Sequence, residues 1–325
     1  MAASPVAMAT ASAGVAAVLS PLCGRDFLSS ADCSAEETAA LLDLAAQLKS
    51  GDRRIDLGNR VLGLIFSKAS TRTRVSFQVA MARLGGQTVD LNPSVTQLGR
   101  GEPLEDTARV LSRYCDVLAI RTFAQQELVD YAHWASVPVI NALTDLEHPC
   151  QALADFLTMQ EAHGALPGQT LAYVGDGNNV AHSLMLCGAL LGVNVRIGCP
   201  EGFEPLPGVL EQAQSLAQHG ASIEVVTDPC EAVAGAQAVY TDVWASMGQE
   251  AEQAQREQAF TGFCVDQALM EQAAADAIVL HCLPAHRGEE ISAEVMEGTA
   301  SRIFDQAENR LHALQELLAA LMGCL

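Results

Sequence analysis

The sequence predicts an α/β protein of two doubly wound domains with largely parallel sheets. Short β-type runs alternate with helical runs from residue 61 onward, and the alternation restarts after "ALPGQ" at 165–169. The length of 325 residues suits about two domains, and a 50% hydrophobic composition supplies sizeable cores.

"VLGLIF" (61–66) reads as a buried strand, because strands covered on both faces are apolar throughout. A loop and a helix over 70–84 follow, stopped by Gly85 and Gly86. "QTVDL" (87–91) is a strand, and "EPLEDTARVLSRY" a helix with Pro103 near its start. "DVLAIRTF" and "VPVINAL" are strands, and "HPCQALADFLTMQEAHG" is a helix ending at Gly164. After the hinge come the strand "TLAYVGDG", the helix "NNVAHSLMLCGALLG", the strand "VNVRIGC" and the helix "GVLEQAQSLAQHG". Strands at "SIEVVTD", "AVYTDVW" and "AIVLHCL" follow, with helical "ALMEQAAAD" between the last two, and "AENRLHALQELLAALMG" closes the chain as a helix.

The first 20 residues carry no charge, so they lack the basic start of a secretory signal and the arginines of a transit peptide. Their Ala, Ser, Thr and Gly content, with Pro5, argues against a membrane span. Residues 1–20 are therefore expected to be a disordered tail. The first domain is expected over 21–164 and the second over 165–303, with a C-terminal helix, 304–325, packing back on the first.

With 18 Lys plus Arg against 39 Asp plus Glu, the formal charge of −21 argues against a nucleic-acid partner. None of the ten cysteines forms a C-x-x-C pair, which excludes a zinc ribbon and a thioredoxin-type motif. Reduced thiols and a cytoplasmic location fit this usage.

Open parallel sheets bind ligands beyond the carboxyl ends of their strands. Arg121 ends "DVLAIR", His148 follows "VINALTDLE", "GDGNN" follows "LAYV", and both "DVWASMG" and "HCLPAHRG" follow strands. Two such rims facing each other would make one cleft. "STRTR" (70–74) also follows a strand and opens a helix. It reads either as a capped helix start or as an anion site, and its place at a strand end favours the anion.

Other motifs leave alternatives open. "VGDGNN" places Gly175 and Gly177 after a strand like a dinucleotide loop, but Val180 holds the third glycine position, so a nicotinamide-dependent dehydrogenase competes with a plain turn. "HCLPAHRG" holds His281, Cys282 and His286 at a spacing that fits no common zinc site. A reactive Cys282 and an inert one are both open, and "HPCQ" also reads as a helix start with Pro149 near its first position.

Taken in order, "STRTR", "HPCQALAD", "TDVWASMGQE", "HCLPAHRGEE" and "AENR" resemble the carbamoyltransferase family, from about residue 24 to the end. "DVWASMG" and "HCLP" are similar to its ornithine-using branch. The "SKA" before the phosphate motif departs from many relatives, which carry an acidic residue, lysine and proline there. The resemblance implies transfer of the carbamoyl group of carbamoyl phosphate to the side-chain amine of L-ornithine, giving L-citrulline and phosphate in arginine biosynthesis. It also implies a site in the interdomain cleft, no metal, no cofactor and a homotrimer. Carried onto this sequence, Ser70, Thr71, Arg72, Thr73, Gln97, Arg121, His148, Gln151, Cys282, Leu283 and Arg310 would hold carbamoyl phosphate. Asn179, Asp242, Ser246 and Met247 would hold ornithine, and Arg121, His148 and Cys282 would be catalytic.

The residue types suit those roles. Charge growing on the carbonyl oxygen can be met by Arg121, His148 and Thr73, and charge on the leaving phosphate by Arg72 and a helix N-terminus. Direct attack by the amine needs no covalent enzyme intermediate, because orientation meets much of the barrier. Asp242 suits an α-ammonium and the Asn179 amide a carboxylate. Another amine such as putrescine, or a non-catalytic binding module, remains an alternative.

Overall fold

The computed structural model describes residues 14–92, 97, 101–245 and 252–325. The chain divides into two compact units, one of residues 1–150 with 310–325 and one of 151–309.

The first unit is built on four parallel strands in the order β2-β1-β3-β4: β1 (Val61–Phe66), β2 (Gln87–Leu91), β3 (Val117–Arg121) and β4 (Val139–Leu143). β1 and β3 are central, apolar and almost wholly buried, as parallel strands covered on both faces must be. β2 follows β1 on one side and β3 lies on the other, so the strand order reverses between β1 and β3. Loops leaving the two strands diverge there and open a crevice. The second unit has five parallel strands in the order β7-β6-β5-β8-β9: β5 (Thr170–Val174), β6 (Asn194–Gly198), β7 (Ile223–Val226), β8 (Ala238–Thr241) and β9 (Ile278–His281). Its reversal falls between β5 and β8.

Each sheet is packed by apolar side chains of its own unit. Ile65, Ala108, Leu118, Ile120, Leu128, Tyr131 and Val139 form a core in the first. Val174, Val239, Trp244, Phe260, Val279 and Ile291 form one in the second, where the Trp244 and Phe260 rings stack at 5.6 Å. All ten cysteines are free thiols.

One expectation differs from the structure. Within the segment read as a tail, a helix (α1, 14–19) forms and Leu19 is fully buried; residues 1–13 lie outside the described residues. Gly24 N–H donates to the Leu321 carbonyl at 2.9 Å, which fastens the start of the chain to its last helix. The two compact units divide at 150, inside the helix α6 (Pro149–His163), and at Arg310, inside the last helix, α13 (Ile303–Leu321). A helix shared by two cores shows one unbroken hydrophobic period, so its sequence contains no boundary signal.

Helix α13 also buries Glu316 completely, and neither of its carboxylate oxygens has a hydrogen-bond partner among the described residues. Burial drives its pKa well above the ordinary carboxylate value of 4.5. The folded state then holds a proton that the unfolded state releases, so this group costs stability as pH rises above about 4.5. Glu316→Gln removes that cost. Thermal unfolding should show the variant gaining on the parent between pH 5 and 8, with the gap closing toward pH 4.5; a gap independent of pH would contradict this.

Candidate active site

Helix α3 (Arg72–Arg83) begins just beyond β1 at the reversal point of the first sheet. Its N-cap, Thr71, makes no side-chain capping bond, and the first N–H groups of any helix lack intrahelical partners. Ser70 is half-buried, Thr71 and Arg72 are exposed, and Thr73 is buried. Arg74 does not join Arg72. Residues two apart on a helix point about 200° from each other, and Arg74 pairs with Asp90 of β2 while lying over the Phe66 ring.

The same region gathers other predicted residues. Arg121 ends β3, paired in register with Phe66 of β1, and is buried. Arg310, on α13, is buried and donates from Nη2 to Thr73 Oγ1 at 2.7 Å. That bond uses Thr73 as an acceptor and leaves its hydroxyl proton to donate elsewhere. His148 immediately precedes α6 and is buried; its pKa lies well below 6.5 through burial first, then the positive charges of Arg310 and Arg121. The imidazole is therefore neutral at pH 7 and offers an uncharged N–H. Gln97 is exposed, away from any strand.

Lys68 was not among the predicted site residues, yet it stands in the loop after β1. Burial and then Arg121 depress its pKa, Asp145 partly opposes them, and its ammonium lies 3.9 Å from the Phe123 ring centre. The signal available in the sequence was the lysine of the "SKA" triplet directly ahead of "STRTR".

In the second unit Asp242 follows β8 and is buried. Its Oδ1 accepts from Val243 N–H at 2.8 Å and from the Cys282 thiol at 3.0 Å, and its Oδ2 accepts from Asn178 Nδ2 at 2.9 Å. Asn178 also caps α7 (Asn179–Leu190) through Oδ1, so Asn179 enters the helix and Asn178 braces the carboxylate. Sequence reasoning named Asn179 and missed Asn178; the adjacent "NN" before a helical run was the signal for a cap. Cys282 and Leu283 follow β9, with Leu283 in the left-handed region at φ 61° and the Leu283–Pro284 bond cis. Ser246 and Met247 lie outside the described residues.

Asp242, His281 and Cys282 bring possible metal ligand atoms within 4.8 Å of one another, as do His286, Glu289 and Glu290. Hydrogen bonds engage Asp242, His281 and Cys282 of the first group and Glu290 of the second. The Cys282 thiol donates to Asp242, while His281 Nδ1 accepts from Leu283 N–H at 2.9 Å and Nε2 meets Glu290 Oε1 at 3.1 Å.

The "GDGNN" loop is filled by this chain rather than shaped for a pyrophosphate. Gly177 N–H donates to the Phe203 carbonyl at 2.8 Å, and a Cβ on Gly177 would stand 2.2 Å from Pro205 N. The second glycine is required by that approach of backbone to backbone.

One parallel-sheet unit gathers guanidinium groups, and the other a buried carboxylate, at the strand ends where such folds bind ligands. Together they define a protein for two small charged ligands, one anionic and one carrying an ammonium group. The chain belongs to the aspartate/ornithine carbamoyltransferase family: the carbamoyl-P binding domain of that family matches residues 25–161, and its Asp/Orn binding domain matches 167–321. It is 88% identical over 316 residues to an ornithine carbamoyltransferase of Parasynechococcus marenigrum, covering 97% of this chain and 99% of the relative. The crystal structure of ornithine carbamoyltransferase from Gloeobacter violaceus superposes with a TM-score of 0.84 at 56% identity, covering 91% of this chain and 98% of that one. For the enzyme from Pyrococcus furiosus the TM-score is 0.89 at 49% identity, with 94% and 99% covered.

Gly177→Ala should force the Gly175–Asn178 loop off Glu204 and Pro205, because the clash is with backbone atoms. A loss of about 1–3 kcal/mol is expected for such overpacking, read as a lower urea midpoint. An unchanged midpoint would show that the loop is not held by this contact.

Proposed function

We propose that this chain transfers the carbamoyl group of carbamoyl phosphate to the side-chain amine of L-ornithine, giving L-citrulline and phosphate in arginine biosynthesis. The observation that carries this reading is the buried Arg310–Thr73 hydrogen bond, which brings the "AENR" helix to the start of α3 beside the neutral His148.

The phosphate lies on the first turn of α3, where Ser70, Thr71, Arg72 and Thr73 donate to its oxygens and the helix dipole favours negative charge. Arg121, His148 and the Thr73 hydroxyl meet the carbonyl oxygen as charge grows on it. A neutral imidazole serves as a hydrogen-bond donor without first having to lose a proton. Gln97, Gln151, Cys282, Leu283 and Arg310 complete the set around carbamoyl phosphate. Asp242, pre-oriented by three donors, takes the α-ammonium of ornithine, Asn179 its carboxylate, and Ser246 and Met247 the remaining contacts. The amine nitrogen forms its bond to the carbonyl carbon, the carbon–oxygen bond to phosphate breaks with its electron pair going to the phosphate oxygen, and the proton released from the nitrogen passes to the departing phosphate. Because its thiol is hydrogen-bonded to Asp242, Cys282 shapes the ornithine site and no covalent enzyme intermediate forms.

Among the described residues no helix is long and apolar enough to cross a membrane. We place the protein in the cytoplasm, where ten free thiols persist. The exposed Val75 and Val79 of α3 and Val89 of β2 belong to the surface through which copies assemble as a homotrimer.

A citrulline assay with ornithine, putrescine and aspartate tests the reaction and the amine together. Putrescine lacks the carboxylate and leaves Asn179 without its ligand, and aspartate brings a second carboxylate toward Asp242. The first cation downstream, Arg256, is already held by Asp176 at 2.9 Å and Glu252 at 3.1 Å. Sites built for polar groups reject analogues lacking them by as much as roughly 10⁴–10⁵. Putrescine within tenfold of ornithine in kcat/KM would overturn the ornithine assignment, and absence of citrulline would overturn the reaction.

Turnover should also climb with pH. An alkyl amine of pKa about 10.4 is neutral in about one molecule in a few hundred at pH 8. kcat/KM per total ornithine should therefore rise steeply from pH 6.5 toward 8.5. His148, already neutral, adds no opposing limb in that range. A flat profile would count against direct attack by the free amine.

A further inference from the structure

We propose that Asp155, a residue with no role in the scheme above, is a positioning residue that forces the Gln151 amide to present its oxygen to the amino group of carbamoyl phosphate. The inference rests on the reading of function just given. Gln151 and Asp155 are four apart on α6 and so share a helix face. Both are buried, as are Gln306 and Tyr240.

Gln151 Nε2 donates to Asp155 Oδ1 at 2.7 Å, and Gln306 Nε2 donates to the same oxygen at 2.6 Å and to Tyr240 Oη at 3.2 Å. Gln306 Oε1 in turn accepts from His281 N–H at 2.8 Å, at the end of β9 and one residue before Cys282. A carboxyl oxygen already receiving the Gln306 amide can only accept, so it selects the NH₂ end of the Gln151 amide and rejects the flipped one. The consequence is a buried Gln151 Oε1 with no hydrogen-bond partner among the described residues. Burying an acceptor unpaired costs more than a net hydrogen bond returns, so the orientation is adverse in the free protein and favourable once a donor arrives. Carbamoyl phosphate carries one nitrogen, and its NH₂ is the only strong donor on the transferred group. Gln306 adds rigidity, because the chain Gln151–Asp155–Gln306–His281 fixes the amide and the strand end through one carboxylate oxygen.

Acetyl phosphate, which replaces that NH₂ by CH₃, is the probe. Competition binding against inorganic phosphate should show the parent protein preferring carbamoyl phosphate to acetyl phosphate by about tenfold or more, as expected when a buried acceptor goes unpaired. Asp155→Leu should bring that preference to within about threefold, while affinity for inorganic phosphate stays unchanged. Asp155→Asn, whose amide oxygen can accept both donors in the same place, should retain it. If Asp155→Leu does not fold, Asp155→Ser, too short to reach both amides, replaces it with the same expectation. A parent without the preference, a folded Leu or Ser variant that keeps it, or an Asn variant that loses it overturns the proposal. Failure of the reaction itself would show separately, as absence of citrulline formation by the parent.

Discussion

The need to hold buried guanidinium groups in place organises the first unit. Arg121 and Arg310 are both buried, in a chain of formal charge −21. A buried cation is costly unless hydrogen bonds surround it, and the Arg310–Thr73 contact supplies one across 237 residues of sequence. That contact requires α13 to return to the sheet that contains β1, and it determines which face of α3 points inward. It also sets the state of His148, since two neighbouring positive charges and burial all disfavour a third cation. The neutral imidazole is thus a consequence of how the arginines are held, and the chemistry assigned to it depends on them.

The second unit solves the opposite problem. Asp242 is a buried carboxylate, and Val243, Asn178 and Cys282 donate to it. Each donor comes from a different strand end: Val243 follows β8, Asn178 follows β5, and Cys282 follows β9. Parallel strands deliver their C-terminal loops to one edge of a sheet, so a single acidic residue can collect donors widely separated in sequence. An antiparallel sheet would send alternate loops to the other edge. The sites in both units are products of parallel topology before they are products of particular residues.

Much of this was legible in the sequence, for physical reasons. Buried parallel strands are unbroken apolar runs, so β1 forms over the residues expected, 61–66, and β2, a largely exposed edge strand, also forms over the expected 87–91. Strand-end polar motifs marked Arg121, His148, Asp242 and Cys282 because a polar residue there has few structural uses. Helix α2 (Ala35–Ser50), ahead of the first strand, was not read from the sequence, although Ser34 and Glu37 form a capping box that spells S-x-x-E. The tail reading failed over 14–20 because Ala, Ser and Val resemble loop composition until Leu19 finds a core. Gln306 meets Asp155 across 151 residues, and no local pattern encodes that contact.

The glycine loop shows how a shared architecture diverges in use. A glycine-rich turn after the first strand of a parallel sheet leaves room for whatever must approach the backbone closely. In a dinucleotide site that approach belongs to pyrophosphate, and the third glycine lets helix and strand pack tightly. Here the approach belongs to Glu204 and Pro205, and Val180 occupies the third position. With the crevice beside Gly177 closed by protein, the side chains at the helix start are free for another task. Asn178 turns its oxygen to the helix N–H groups and its nitrogen to Asp242. The position that would have faced a phosphate has become a brace for a carboxylate.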